Sequence, residues 1–228
     1  MSTATTLVSR RGFLKGRAAE PAPSRVGFSG RFVGPAHGVD HGFTAADRAT
    51  GRWPDVTVRT HRDEPMRIVS DLVSEQRVLF GFIYTRCDGV CPATTANMAA
   101  TYRLLKERDV RPFRFISVSI DPERDSPDDL LRYAARHGLA DLPDWHFVVA
   151  RPEDTLALRR ALRITDPNPE RDRVISNHSG LLLMGNDRTN RWGGIPSRAE
   201  PIHIANTFER IARAVSLQEF AGFGKEAS

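Results

Sequence analysis

Residues 80–98 read FGFIYTRCDGVCPATTANM, and the five positions from Cys87 to Cys91 hold both cysteines of a 228-residue chain. The stretch from Arg77 to Thr85, RVLFGFIYT, is an apolar run rich in β-formers, as expected for a strand buried on both faces. After the cysteines, Pro92 opens PATTANMAATYRLLKERD, where Met98, Tyr102 and Leu105 recur at helical spacing. Proline in the first turn of a helix forfeits no hydrogen bond, so Cys91 is expected at a helix entrance. A buried strand, a loop carrying two thiols and a helix therefore form one unit.

Working outward, the same logic repeats. FRFISVSI reads as a strand, and DSPDDLLRYAARHG as a helix with Ser126 as N-cap, Pro127 at its first position, Asp129 closing a capping box and Gly138 at its end. WHFVV is a further strand and PEDTLALRRAL a further helix, followed by a polar insertion, TDPNPERDRVISN. Strand GLLLM, turn GNDR, a strand around TNRWGG and a helix from about Pro201 to Val215 close the pattern. Ahead of the first buried strand, PDVTVRTHRDEPMRIVSDL alternates around the polar HRDEP and suggests a short hairpin. The expected fold is α/β and thioredoxin-like: a central mixed sheet flanked by helices, with an N-terminal hairpin.

Charge divides the chain. Lys and Arg number 33 against 28 Asp and Glu, but the first 52 residues hold 8 basic and 3 acidic groups, which leaves 25 of each in the remainder. The basic character belongs to the amino-terminal arm and the body is neutral, so nucleic-acid binding is not expected. Residues 1–52, rich in Gly, Pro, Ser and Arg without apolar periodicity, read as a basic leader, 53–218 as the folded domain and 219–228 as a tail. Within the leader SRRGFLK, Ser9 to Lys15, resembles a bacterial twin-arginine export signal that lacks its apolar segment. It points to a periplasmic or otherwise extracytoplasmic location, with the cytoplasm as the alternative. No run approaches the roughly 18 apolar residues of a membrane span, so no integral anchor is expected.

The cysteine pair is better explained by chemistry than by stability. A disulfide closing so short a loop constrains the unfolded chain by about 2 kcal/mol, against about 4.7 for a 100-residue loop. A thiol at a helix N-terminus meets unpaired N–H groups and the positive end of the helix dipole, both of which favour the thiolate. Arg86 adds positive charge nearby. Thiolates so placed can exchange disulfides or bind a soft metal ion. Redox thioredoxins use C-x-x-C, one residue shorter than this loop. A structural zinc site usually takes four ligands, whereas Cu(I) accepts thiolate and imidazole at low coordination number and needs one ligand more. For a disulfide, Cys87 has to sit off the helix, because side chains four apart on a helix have Cβ atoms about 5–6 Å apart against about 3.5–4.5 Å in a disulfide. Gly89 is expected to give that loop its freedom.

Of seven histidines, His37 and His41 fall in the leader, His61 in a turn, His137 near a helix end, and His146 and His203 in or beside predicted elements. His178 directly precedes the strand GLLLM. If that strand runs antiparallel to the one ending at Thr85, the start of one lies beside the end of the other and His178 faces the cysteine loop.

YTRCDGVCP, SIDPERDSP and NHSGLLLM, in that order and at these separations, resemble the Sco/SenC family of copper proteins over roughly Trp53 to Val215. The resemblance implies a thioredoxin-like metallochaperone that holds copper, as Cu(I) and also as Cu(II), through two cysteines and a distal histidine. In this chain those ligands are Cys87, Cys91 and His178. It implies delivery to the binuclear copper site of cytochrome c oxidase or to another cuproprotein. The family often has C-P-D-V-C-P, where this chain places Asp88 and Gly89 before Val90, and an aspartate commonly precedes the family histidine, where this chain has Asn177. The membrane helix that usually anchors such proteins is absent from the sequence.

Asp121 ends a strand on the same edge as Thr85 if those strands are parallel, so DPERDSP borders the site, and Asp121 is expected to support the ligands rather than to bind metal. The alternative function is a thiol-disulfide reductase in which Cys87 and Cys91 act on partner cysteines without the histidine. A peroxide-reducing thiol protein is a third reading, favoured by the fold alone.

Overall fold

Among the described residues, seven strands form one mixed sheet, in the order β2-β1-β5-β4-β3-β6-β7. The computed structural model describes residues 53–172, 174, 175 and 180–213. The export motif, His37, His41, His178, and the expected leader and tail boundaries all lie outside these residues.

Strands β1 (Thr57–Thr60) and β2 (Pro65–Arg67) form the N-terminal hairpin. The hairpin reading extended through IVSDL, but those residues wind into α1 (Ile68–Val73), a short helix of π type. The reason is tertiary: the Asp55 carboxylate accepts hydrogen bonds from the N–H groups of Val69 and Ser70, at 2.8 and 3.1 Å, and caps the helix from 14 residues upstream. Ile68 and Leu72, one turn apart, are then buried on its inner face.

The centre of the sheet is β3 (Arg77–Ile83), β4 (Arg114–Ser119) and β5 (Trp145–Ala150), all parallel. Between β3 and β4 runs α2 (Val90–Glu107), and between β4 and β5 runs α3 (Pro127–Arg136). The Ser126–Asp129 capping box forms as the spacing predicts. Helix α4 (Pro152–Ala161) and a single turn, α5 (Pro169–Asp172), follow. Strand β6 (Leu181–Asn186) pairs antiparallel with β3, and β7 (Arg191–Pro196) antiparallel with β6, before α6 (Pro201–Ala212). This is the expected thioredoxin-like fold.

Strand side chains alternate between two cores. Leu79, Ile83, Phe115, Trp145 and Phe147 pack with α2, α3 and α6 on one face. Val78, Phe80, Ile116, Val118 and Val148 pack with α1, α4 and Trp53 on the other. Met98, Tyr102 and Leu105 form the buried stripe of α2. At Gly81 a Cβ would lie 2.5 Å from the Met98 sulfur, so glycine lets α2 approach β3 closely just behind the cysteines.

Candidate functional site

The end of β3 turns sharply into α2. The Cys87 N–H donates to the Tyr84 carbonyl at 3.2 Å, closing a four-residue turn. Helix α2 begins at Val90, two residues earlier than Pro92 suggested, with Gly89 as N-cap. Cys91 thus lies inside the first helical turn, while Cys87 stands off the helix as disulfide geometry requires. Gly89 offers no side-chain cap, and the Cys87 sulfur supplies the missing acceptor, taking the Cys91 N–H at 3.4 Å. Gly89 has φ −108° and ψ −104°, and a Cβ there would meet nothing within 4 Å.

No disulfide joins the two cysteines. Cys87 is 8% exposed and Cys91 is completely buried. Burial pushes the Cys87 thiol up, but hydrogen bonds from the Cys91 thiol, the Tyr84 hydroxyl and the N–H groups of Cys91 and Gly89 outweigh it, and the net shift is downward. Tyr84 moves the opposite way, held above the usual phenol range chiefly by its hydrogen bond to Cys87. Tyr133 is pushed up to about 12, first by burial and further by negative charge on the two sulfurs. The first turn of α2 carries no acidic residue, so its positive dipole end favours negative charge on the sulfurs, with Asp88 just outside the N-cap. Arg86 donates to the Arg124 carbonyl at 3.3 Å.

Beside the turn lies a pocket of about 390 Å³ lined by Tyr84, Arg86, Asp121, Glu123, Arg124 and Ile175. The parallel pairing of β3 and β4 brings Asp121 to this edge, where burial and then the neighbouring Asp125 push its carboxyl up. Among the described residues it is the Asp125 carboxylate, not that of Asp121, that accepts hydrogen bonds from the cysteine turn.

The Asp125 carboxylate accepts from the Thr85 N–H at 3.1 Å, from the Thr85 hydroxyl at 2.6 Å and from the Ser119 hydroxyl at 2.6 Å. Spacing along the chain does not mark Asp125, which directly precedes the Ser126 N-cap. Tyr84 and Tyr133 were missed as well, one hidden in the β3 run and the other on the buried face of α3. No local spacing marks any of the three.

Among the described residues no group of three or more His, Cys, Asp or Glu is placed to hold a metal. The expected third ligand, His178, lies outside them. Of the described residues on either side of it in sequence, Ile175 lines the pocket with Tyr84, and the Gly180 carbonyl accepts from the Ser197 N–H, while the Ser197 hydroxyl accepts from that of Thr94 in α2. The other described histidines are placed elsewhere. His61 bridges the backbone of Ala140 and Phe147, His137 ends α3 with its ring centroid 4.7 Å from that of Tyr133, His146 lies on β5 against Ile116 of β4, and His203 is exposed on α6.

Comparison with known proteins gives a consistent result. The SCO1 protein homolog of Bacillus subtilis (strain 168) is 30% identical over 111 residues, 48% of this chain and 56% of that protein, so the alignment spans little more than half the relative's length. The crystal structure of a SCO1/SenC family lipoprotein from Bacillus anthracis str. Ames superposes with a TM-score of 0.57 at 21% identity, covering 71% of this chain and 96% of that one. Arabidopsis thaliana ScoI, solved with copper bound, superposes at 0.56 with 16% identity, covering 70% and 97%. Residues 60–213 match the SCO1/SenC family. With that match over most of its length and this fold, the chain belongs to the SCO1/SenC family.

Proposed function

We propose that this protein binds copper through Cys87, Cys91 and His178 and passes it to a partner, such as the binuclear copper site of cytochrome c oxidase, by exchange of ligands. The observation that carries the reading is the cysteine pair itself. Two sulfurs not joined by a disulfide stand at the positive end of α2, and hydrogen bonds bias Cys87 toward the thiolate. Thiolate is the donor that a soft ion such as Cu(I) selects. With only two sulfurs on rigid elements, one ligand at a time can leave for the partner. His178 is taken as the third donor from its place in sequence just before β6, which pairs antiparallel with β3; Ile175 lines the pocket beside Tyr84. Asp121, in the pocket beside Tyr84, supports the ligands.

An extracytoplasmic location accords with the SRRGFLK motif and with the lipoprotein relative. No helix of the described residues is long and apolar enough to cross a membrane.

A second reading, a thiol-disulfide reductase acting on partner cysteines, is favoured by the contrast between the two thiols. The outer one, Cys87, has its thiolate stabilised, and the inner one, Cys91, is shielded. Competition of the reduced protein against a Cu(I) chelator, comparing His178→Ala with the unaltered chain, separates the two. The metallochaperone reading expects at least about tenfold weaker copper binding, roughly 1.4 kcal/mol, with disulfide cycling intact. His203→Ala, at an exposed position of α6, serves as control. Unchanged copper affinity in His178→Ala, together with normal reduction of a partner, transfers the function to the reductase reading.

A further inference from the structure

The turn that carries Cys87 is held from outside. Cys91 is fixed by its place in an 18-residue helix, so the relation between the two sulfurs depends on the path from Tyr84 to Cys87. Thr85 is the second residue of that turn, and both its N–H and its hydroxyl end on the Asp125 carboxylate. We infer that Asp125 is the positioning residue of the dithiol, clamping the Tyr84–Cys87 turn against the N-terminus of α3 so that Cys87 is presented to Cys91 and to a shared metal in one geometry.

The clamp is built to be rigid. Asp125 is 4% exposed, its N–H donates to the Asp121 carbonyl at 2.9 Å, and the next residue is the N-cap of α3. Ser119, at the end of β4, completes the acceptor's environment at 2.6 Å and itself takes the Asp121 N–H at 3.2 Å. One side chain therefore joins the ends of β3 and β4 to the start of α3. Three donors converge on it, which suits an acceptor-only carboxylate; an asparagine would turn its amide hydrogens toward one of them. The two 2.6 Å contacts have the length of charge-assisted hydrogen bonds to an ionised oxygen. Loosening this support gives Cys87 more conformations and lowers its effective concentration at Cys91. The same loss weakens two-sulfur chelation of a metal.

This inference rests on the dithiol reading above, and it is tested without metal first. The reduced protein is equilibrated with glutathione: two protein thiols and one oxidised glutathione give the protein disulfide and two reduced glutathiones, which carry away both thiol protons. Asp125→Asn and Thr85→Val are expected to lower the equilibrium constant for disulfide formation about tenfold, about 30 mV for a two-electron couple. Thr85→Ser, which keeps the hydroxyl, stays within about twofold of the unaltered chain. Gly185→Ala, at the opposite end of β3, lowers the melting temperature without moving the constant. Cu(I) affinity follows the same order across the variants.

An equilibrium constant unchanged in both Asp125→Asn and Thr85→Val, or moved equally by Gly185→Ala, overturns the inference and reduces Asp125 to a general stabiliser. Should Asp125→Asn fail to fold, the Thr85→Val and Thr85→Ser pair decides alone. If the unaltered protein binds no copper, the proposed function fails, while the glutathione equilibrium still decides the role of Asp125.

Discussion

The backbone amide of Cys91 donates to the sulfur of Cys87 across 3.4 Å, so one cysteine serves as helix cap to the other. The arrangement stabilises negative charge on the outer sulfur while keeping the inner one buried. Chemistry should therefore begin at Cys87.

In the metal-free, reduced protein, iodoacetamide should label Cys87 at least about tenfold faster than Cys91, because attack requires both thiolate and access. A lowered thiol pKa means that the thiolate persists to lower pH. The rate profile for Cys87 should then have its midpoint below that of an ordinary cysteine, and Tyr84→Phe should move it upward by removing one donor. Peptide mapping by mass spectrometry reads the site; preferential labelling of Cys91 would show that the roles are reversed.

Behind the cysteines, the hydroxyls of Thr95 and Tyr133 meet at 2.7 Å and both residues are buried. Tyr133→Phe leaves the Thr95 hydroxyl without this partner, at an expected cost of about 1–3 kcal/mol. Urea denaturation of the reduced protein measures it. A loss well under 1 kcal/mol would mean that Thr95 finds another acceptor.

At the far end of β3, Gly185 of β6 sits under the Trp192 ring of β7, and an added Cβ would lie 2.1 Å from it. Trp192 in turn packs on Trp53, ring centroids 5.0 Å apart. Gly185→Ala must displace the indole, and overpacking of this kind costs about 1–3 kcal/mol. Thermal unfolding followed by tryptophan emission should show a lower midpoint and an altered native spectrum; retention of both would indicate that β7 moves freely.

Acid should weaken the fold through two buried imidazoles. Burial holds His61 below its ordinary value, and burial with the nearby Arg114 and Arg62 charges takes His146 down to about 4. The unfolded chain takes up these protons near pH 6.5, so it binds more protons than the folded chain below that pH. Stability is therefore complete above about pH 6.5 and falls as the pH drops toward about 4, with a slope of at most about 1.4 kcal/mol per pH unit for each histidine. His146→Leu should flatten part of this fall in denaturation curves taken at successive pH values. An unchanged slope would assign it to carboxylates instead.

Much of the architecture was legible because it is decided locally. The apolar run before Cys87, the helical spacing of Met98, Tyr102 and Leu105, and the Ser126–Asp129 box each depend on residues within one element, and each formed as read. The antiparallel pairing of β6 with β3, the condition on which the interest of His178 rested, is present in the structure. The dithiol was legible too, since both cysteines fall within five residues.

What the chain could not disclose by itself were the contacts made across it. Asp55 turns IVSDL from strand to helix from 14 residues away, and Asp125 reaches Thr85 across 40 residues. In sequence, Asp121 and Asp125 are two acids in one acidic loop; the 121–125 backbone turn alone decides which carboxylate meets the cysteine turn. Spacing along a chain determines which side chains share a face, because helix and strand periods are local properties. Which hydroxyl, amide and carboxylate meet between faces is determined only when β3, β4, α2 and α3 pack, since buried polar groups must find partners wherever the tertiary structure brings them.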